Sequence, residues 1–457
     1  MTVRLREALR EATDGLPAYP VYERALATAR RTRLRAAAAA AAVLVTVAVM
    51  VWSVPVRQLS EVSPSTGSGA LPDRIATPPV GTLRVTDPFP IGSAALLFGG
   101  MGRDDTVGVV DADSDRYRVL HAGALAPAGG VVLLSPDGAR LAYPSSGFTR
   151  PRVDIVDLTD GSVQKVAAVA DGSLQTSPLG WSPDGRRLVV IDRVPANPER
   201  SAYREVLSLV EPGTGTTVHL ATAGDNVSVV PGYAVAFAPD NQKLAFQVED
   251  TVTITDLAGT PRRTFHLPAD EVLAGKGAWT PDSRALTMAK RQGDRWTLAT
   301  IDPATGARAD LGVPPVSGCS WRMPRPDGCV TAIRLLGWGP DGAAFVVAYQ
   351  PDPATSIDFA DPMEIDQRIA YGHVRTVRLL SLRPGAAAPI TRMTAPDDVL
   401  AVDVADGVIG AGLTRVADPP DRRGPRFWFW LVVVAAGAVA AAVFGWRWYV
   451  RRDLPRR

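Results

Sequence analysis

The chain has 457 residues, 46% of them hydrophobic, and a formal charge of +2 that is unevenly spread. Residues 1–35 hold eight Arg against four acidic residues and residues 447–457 hold five Arg against Asp453, so the ends are positive and the long middle is negative. A mildly acidic middle excludes the dense basic surface that nucleic-acid binding needs. Heavy use of Arg, Ala and Val over Lys is the composition associated with GC-rich, actinobacterial-type genomes.

In chain order, Leu5, Ala8, Leu9 and Ala12 share one helical face, D-G-L-P-A-Y-P breaks the chain, and Val21, Tyr22, Ala25, Leu26 and Ala29 share a second face. Helices this short are marginal alone in water. Residues 1–35 therefore read as a basic cytoplasmic segment that either lies along the bilayer or docks on a cytoplasmic partner, or simply flanks the membrane with incidental helicity. The run 36–56 carries no charge and is long enough to cross a bilayer as a helix. A charged leader precedes it and no small-x-small cleavage site follows, which favours an uncleaved anchor over a signal peptide. Residues 57–81, rich in Ser, Pro, Thr and Gly, read as a flexible linker.

Between 82 and 413 one pattern recurs five times: L-S-P-D-G-A-R-L-A-Y (134–143), W-S-P-D-G-R-R-L-V-V (181–190), F-A-P-D-N-Q-K-L-A-F (237–246), W-T-P-D-S-R-A-L-T-M (279–288) and W-G-P-D-G-A-A-F-V-V (338–347). Each is a tight hairpin followed by a buried strand. Pro fixes φ at the first central position, Asp bonds back to the turn, and the next residue takes the left-handed region. The turn residues are Pro136, Asp137 and Gly138; Pro183, Asp184 and Gly185; Pro239 and Asp240; Pro281 and Asp282; and Pro340, Asp341 and Gly342. Asn241 and Ser283 stand where the other turns have Gly, and Asn tolerates the conformation better. Most units add a second hairpin, as in V-D-I-V-D-L-T-D-G-S-V (153–163), so each unit is four short strands.

Four-stranded units recurring every 40–60 residues or so describe an all-β chain folded as a β-propeller. The recurring aromatic-x-P-D-G and apolar strand resemble the TolB-type, WD-repeat-like β-propeller family over nearly the whole middle domain. That resemblance implies a propeller and leaves activity open, since such propellers serve as scaffolds, binding platforms and enzyme companions. Segment 95–120 reads as a blade without its P-D-G turn. Segment 399–413 reads as two strands completed by 82–87, closing the ring with strands from both ends. The usual repeat length favours seven blades over six.

Cys319 and Cys329 are the two cysteines, and close a short Pro/Gly-containing loop as a disulfide in an oxidising compartment. That loop, with Trp321, Arg322 and Arg325, is one candidate contact surface. The insertion 350–372 is the other: with Asp352, Asp358, Asp361, Glu364 and Asp366 it could take a cationic ligand. Asp111, Asp113 and Asp115 alternate as in a calcium loop, but Arg116 and Ala122 occupy the Gly and Glu positions of that loop. His121, His219, His266 and His373 have no metal-pair spacing. Gly275-Lys276-Gly277 fails as a phosphate loop, and no nucleophile elbow is present. The expectation is no enzyme, no cofactor and no metal.

Residues 414–426 read as a second linker and 427–446 as a second membrane helix, with Phe427, Trp428, Phe429 and Trp430 at one end and Trp446, Trp448 and Tyr449 at the other. Arg residues before the first span and after the second put both termini in the cytoplasm and the propeller outside, in a two-pass cell-membrane protein. The leading expectation is a non-enzymatic binding platform in the bacterial envelope, with the lipid bilayer and an envelope protein as partners and no nucleic acid. The alternative is an anti-sigma-like regulator, with the propeller as sensor and residues 1–35 as effector. A propeller enzyme is the least favoured reading.

Overall fold

The structure, a computed structural model, describes residues 69–99, 106–122, 128–145, 151–227, 229–319, 328–352, 374–397, 399–418, 420 and 423–452, with Glu7 and Glu11. The expected first span at 36–56 and the acidic residues Asp358, Asp361, Glu364 and Asp366 lie outside the described residues. So do Trp321, Arg322, Arg325 and His373. The chain divides into two units, Leu59–Gly424 and a second comprising Met1–Gln58 and Pro425–Arg457.

In the first unit, β1 (Leu71–Pro72) precedes six four-stranded antiparallel blades. Blade 1 holds β2 (Ala94–Gly99), β3 (Thr106–Asp111) and β4 (Tyr117–His121). Blade 2 holds β5 (Leu133–Leu134), β6 (Arg140–Ser145), β7 (Arg152–Asp157) and β8 (Val163–Ala167). Blade 3 holds β9 (Gln175–Trp181), β10 (Leu188–Pro195), β11 (Tyr203–Glu211) and β12 (Thr216–Thr222). Blade 4 holds β13 (Val235–Phe237), β14 (Lys243–Val248), β15 (Thr251–Asp256) and β16 (Pro261–His266). Blade 5 holds β17 (Glu271–Leu273), β18 (Leu286–Gln292), β19 (Arg295–Ile301) and β20 (Arg308–Asp310), with β21 (Val316–Ser317) paired to β19. Blade 6 holds β22 (Ala332–Trp338), β23 (Ala344–Pro351), β24 (Val374–Leu382) and β25 (Ile390–Thr394). The late strand β26 (Ala401–Val404) is the innermost strand of blade 1, pairing Val404 with Leu96 and Ala401 with Gly99.

The ring therefore has six blades, not the preferred seven. Strands from both ends do close it, but 82–87 is not one of them. That segment runs outside β4, where Arg84 bridges Val119. The second strand expected within 399–413 is a short helix, α1 (Asp406–Ala411), ended by Gly412 at φ 64°. After it, β27 (Thr414–Arg415) runs parallel to β1, and Val80 bridges Arg423. The two segments expected as linkers are thus partly ordered against one another.

Sequence follows radial position. Inner strands are buried on both sides and read as apolar runs, as in the buried Leu188–Ile191 stretch of β10. Outer strands face solvent: β16 is P-R-R-T-F-H, exposed at nearly every position. The core is consequently a set of apolar wedges between neighbouring blades, such as Leu179, Val189, Leu207, Val235, Leu244 and Phe246 between blades 3 and 4.

In the second unit, α2 (Pro425–Arg452) has Pro at its first position, where no N–H is missed. Its 23 residues Pro425–Arg447 are long and apolar enough to cross a membrane, and none of that window is buried.

Candidate functional site

Antiparallel blades put two kinds of connection at opposite ends. Turns between first and second strands, and between third and fourth, share one face, termed here the turn face. Second-to-third loops and crossings between blades share the other, the loop face.

All five Pro-Asp turns lie on the turn face. Their third residues have positive φ: Gly138 72°, Gly185 64°, Asn241 55°, Ser283 58° and Gly342 72°. The Asp accepts the amide two residues on, as in Ala139 to Asp137 at 3.0 Å, Arg186 to Asp184 at 3.0 Å and Gln242 to Asp240 at 2.9 Å. The two non-Gly residues reach neighbouring blades. Asn241 Nδ2 donates to Asp184 at 2.9 Å, and the Asp240 amide donates to Ser283 Oγ at 3.1 Å. Motif aromatics do the same: Trp279 Nε1 donates to the Ala236 carbonyl at 3.1 Å, and Trp338 Nε1 to that of Trp279 at 2.8 Å. Arg140 stacks 5.5 Å from the Trp181 ring and Lys243 lies 4.9 Å from that of Trp279. The motif residues are a belt joining blade to blade.

The axis is filled by the chain itself. Arg334 on β22 is 2% exposed. Its guanidinium donates to the carbonyls of Gly129, of Ala128 at 3.4 Å and of Val402 at 2.6 Å, tying blade 6 to blades 2 and 1. Gly129 and Gly232 make room for it: a Cβ at either would fall within 3 Å of the guanidinium, and both have positive φ. Nearer the turn face, Lys276 Nζ lies 3.0 Å from Asp403, 2.8 Å from Asp406 and 2.6 Å from the Val404 carbonyl. Burial disfavours the ammonium, but the two carboxylates outweigh it and hold Lys276 above the ordinary lysine range. Asp403 also accepts the Leu134 amide at 3.2 Å. The failed phosphate-loop lysine is thus an axial tie. The sequence reading missed Arg334, Asp403 and Asp406; the available signal was a charge inside an otherwise apolar inner strand, I-R-L-L-G-W.

The alternating carboxylates also bind cationic side chains. Asp111 accepts Arg116 Nε at 2.7 Å. Asp115 pairs with Arg415, whose Nη2 donates to the Ser114 carbonyl at 2.6 Å, and the Asp418 amide donates to Asp115 at 2.8 Å. This loop clasps β27 to blade 1. Among the described residues, no three His, Cys, Asp or Glu side chains gather as a metal would need. His121, His219 and His266 are exposed on outer strands.

On the loop face, Cys319 and Cys329 form the expected disulfide. It is anchored by Arg291 Nη2 donating to the Cys319 carbonyl at 2.7 Å and Arg378 Nη2 to the Gly328 carbonyl at 2.5 Å. Its connection enters blade 6, and the connection carrying the acidic residues leaves the same blade from Pro351 and returns at Val374. The structure therefore attaches both candidate loops to one face of one blade. The turn-motif residues sit on the opposite face.

No protein-family model and no curated protein matches the sequence. Among solved structures, the chain is similar to TolB from Acinetobacter baumannii, with a TM-score of 0.39 and 15% identity over 70% of this chain and 68% of that one. It is also similar to oligogalacturonate lyase from Vibrio parahaemolyticus, with a TM-score of 0.42 and 13% identity over 73% and 80%. A third likeness is the β-propeller domain of the Trilobed protease from Pyrococcus furiosus, at 0.32 and 13% over 56% and 67%. The structures it resembles thus include TolB-type β-propellers, a likeness of fold.

Proposed function

We propose that the chain is a membrane-anchored, non-enzymatic binding platform that takes a protein partner of the cell envelope on its loop face. The observation that carries this reading is that both long connections, 318–331 from blade 5 into blade 6 and 352–373 within blade 6, meet blade 6 on its loop face. The engagement of Arg334 at the axis supports it, because a ligand entering there would have to displace bonds to three carbonyls.

The anchor in this reading is α2, whose 20-residue uncharged stretch spans roughly 30 Å at 1.5 Å per residue, the thickness of a hydrocarbon core. The run 36–56 is the second anchor, with both termini cytoplasmic and the propeller outside. In spheroplasts, external protease should degrade the propeller and spare epitope tags at both termini. A protected propeller contradicts the topology. Replacing 353–372 by a short Gly/Ser linker should abolish covalent cross-linking to the partner, and deleting residues 1–30 should not; the reverse result would favour the signalling alternative.

A further inference from the structure

Large apolar side chains are unevenly exposed on the propeller unit. Among the described residues of this unit four are more than half exposed: Val80 at 78%, Phe89 at 61%, Leu413 at 56% and Val416 at 78%. All four belong to the two segments that flank blade 1 on its turn-face side. The remaining large apolar exposures in this unit, Val163, Leu174 and Ile390, are scattered and smaller, as is normal for a soluble surface.

Phe89 is held out by construction. It has φ 71°, a conformation that costs a bulky residue about 1–2 kcal/mol. Two arginines brace the loop: Arg118 Nη2 donates to the Phe89 carbonyl at 2.7 Å and Arg116 Nη2 to that of Ile91 at 3.0 Å. Burial lowers Arg118 to about 10, so the brace itself is costly to bury. Strain and burial that present an aromatic ring to solvent imply something that covers it.

Chain length identifies the cover. Val80 bridges Arg423, and Phe427, which begins the aromatic end of the apolar helix, is four residues further on. At up to 3.6 Å per residue the tether from Arg423 to that interfacial end is at most roughly 14 Å, and Val80 is one bridge of about 5 Å further back. Leu413 and Val416 flank β27, paired to β1 in the same ribbon. Exposed Arg84 and Arg423 accompany these residues, as anionic headgroups favour.

We propose that this edge of blade 1, with Val80, Phe89, Leu413 and Val416, rests in the headgroup region of the bilayer, as an interfacial contact additional to the spanning helix. The inference depends on α2 being a membrane span.

The test uses the full-length protein in vesicles of phosphatidylglycerol and phosphatidylethanolamine. Single cysteines are introduced as Val80→Cys, Phe89→Cys and Val416→Cys and labelled with bimane; the native cysteines are buried and disulfide-bonded. Leu174→Cys, on the loop face, and Trp430→Cys, in the helix, are controls. Headgroup-level spin-labelled lipid should quench positions 80, 89 and 416 several-fold more than position 174, with acyl-chain spin labels quenching position 430. Quenching at 430 but not at 80, 89 and 416 overturns the inference and leaves the span intact. Labels that are shielded from aqueous iodide yet unquenched by lipid identify a protein cover, such as a second copy, and overturn it as well. Failure at 430 removes the span, and the inference with it.

Discussion

The two faces of the propeller are built from different material. On the turn face, five Pro-Asp turns of one length repeat nearly the same hydrogen bonds, and Asn241, Ser283, Trp279 and Trp338 add bonds to a neighbouring blade. On the loop face, connections range from two residues between β14 and β15 to 22 between β23 and β24. Repetition is what a closed ring needs, since each blade must meet its neighbour in the same way. Variation is what recognition needs, and loops on a rigid scaffold supply it at small cost to the ring.

The largest expected effect tests whether the axis belongs to the scaffold. Arg334→Ala leaves three buried carbonyls unpaired and should cost about 3–5 kcal/mol in urea unfolding. A loss below about 1 kcal/mol would mean that the axis is not a tie, since only exposed interactions are that weak. Lys276→Met strands Asp403 and should cost about 2–3 kcal/mol, less because Lys276 is partly exposed. Its folded pKa is raised, so its contribution is complete below the unfolded lysine value near 10.4 and is lost as pH rises through the folded value. The gap between wild type and variant should therefore start to narrow above about pH 10.4 and close only above the higher folded value; a constant gap would contradict this assignment.

On the loop face, Cys319→Ser should cost about 2–3 kcal/mol through loop-closure entropy. Hydrogen exchange should quicken around 317–331 and leave turn-face amides unchanged. Within the belt, Gly185→Ala should cost about 1–2 kcal/mol, because its φ is left-handed and its Cβ would meet Arg140 Nη2 at 2.8 Å. Ser283→Gly should change stability by less than about 1 kcal/mol, since relief of φ offsets loss of the bond from Asp240. A large loss would show that belt bonds matter more than turn conformation.

The same contrast explains what was legible in the sequence. Turn chemistry is local, so Pro136 through Asp341 could be read directly, as could the cysteine pair. Blade number was not local. Long loop-face connections inflate the repeat length, and blade 1 is divided between Ala94–His121 and Ala401–Val404. The segment 406–411 alternates like a strand but buries only Val408 and Ile409 as one helical turn. The axial residues required the register of the inner strands, because a charge such as Arg334 is interpretable only once its neighbours across the ring are known.

The claim that recognition belongs to the loop face is tested most directly by photo-cross-linking in intact cells. A photoreactive residue at Asp352, where the long blade 6 connection leaves the loop face, is compared with one at Arg186, on the turn face, in the full-length chain. The account predicts a discrete protein adduct from position 352 and none from 186. An adduct from 186 alone would contradict it.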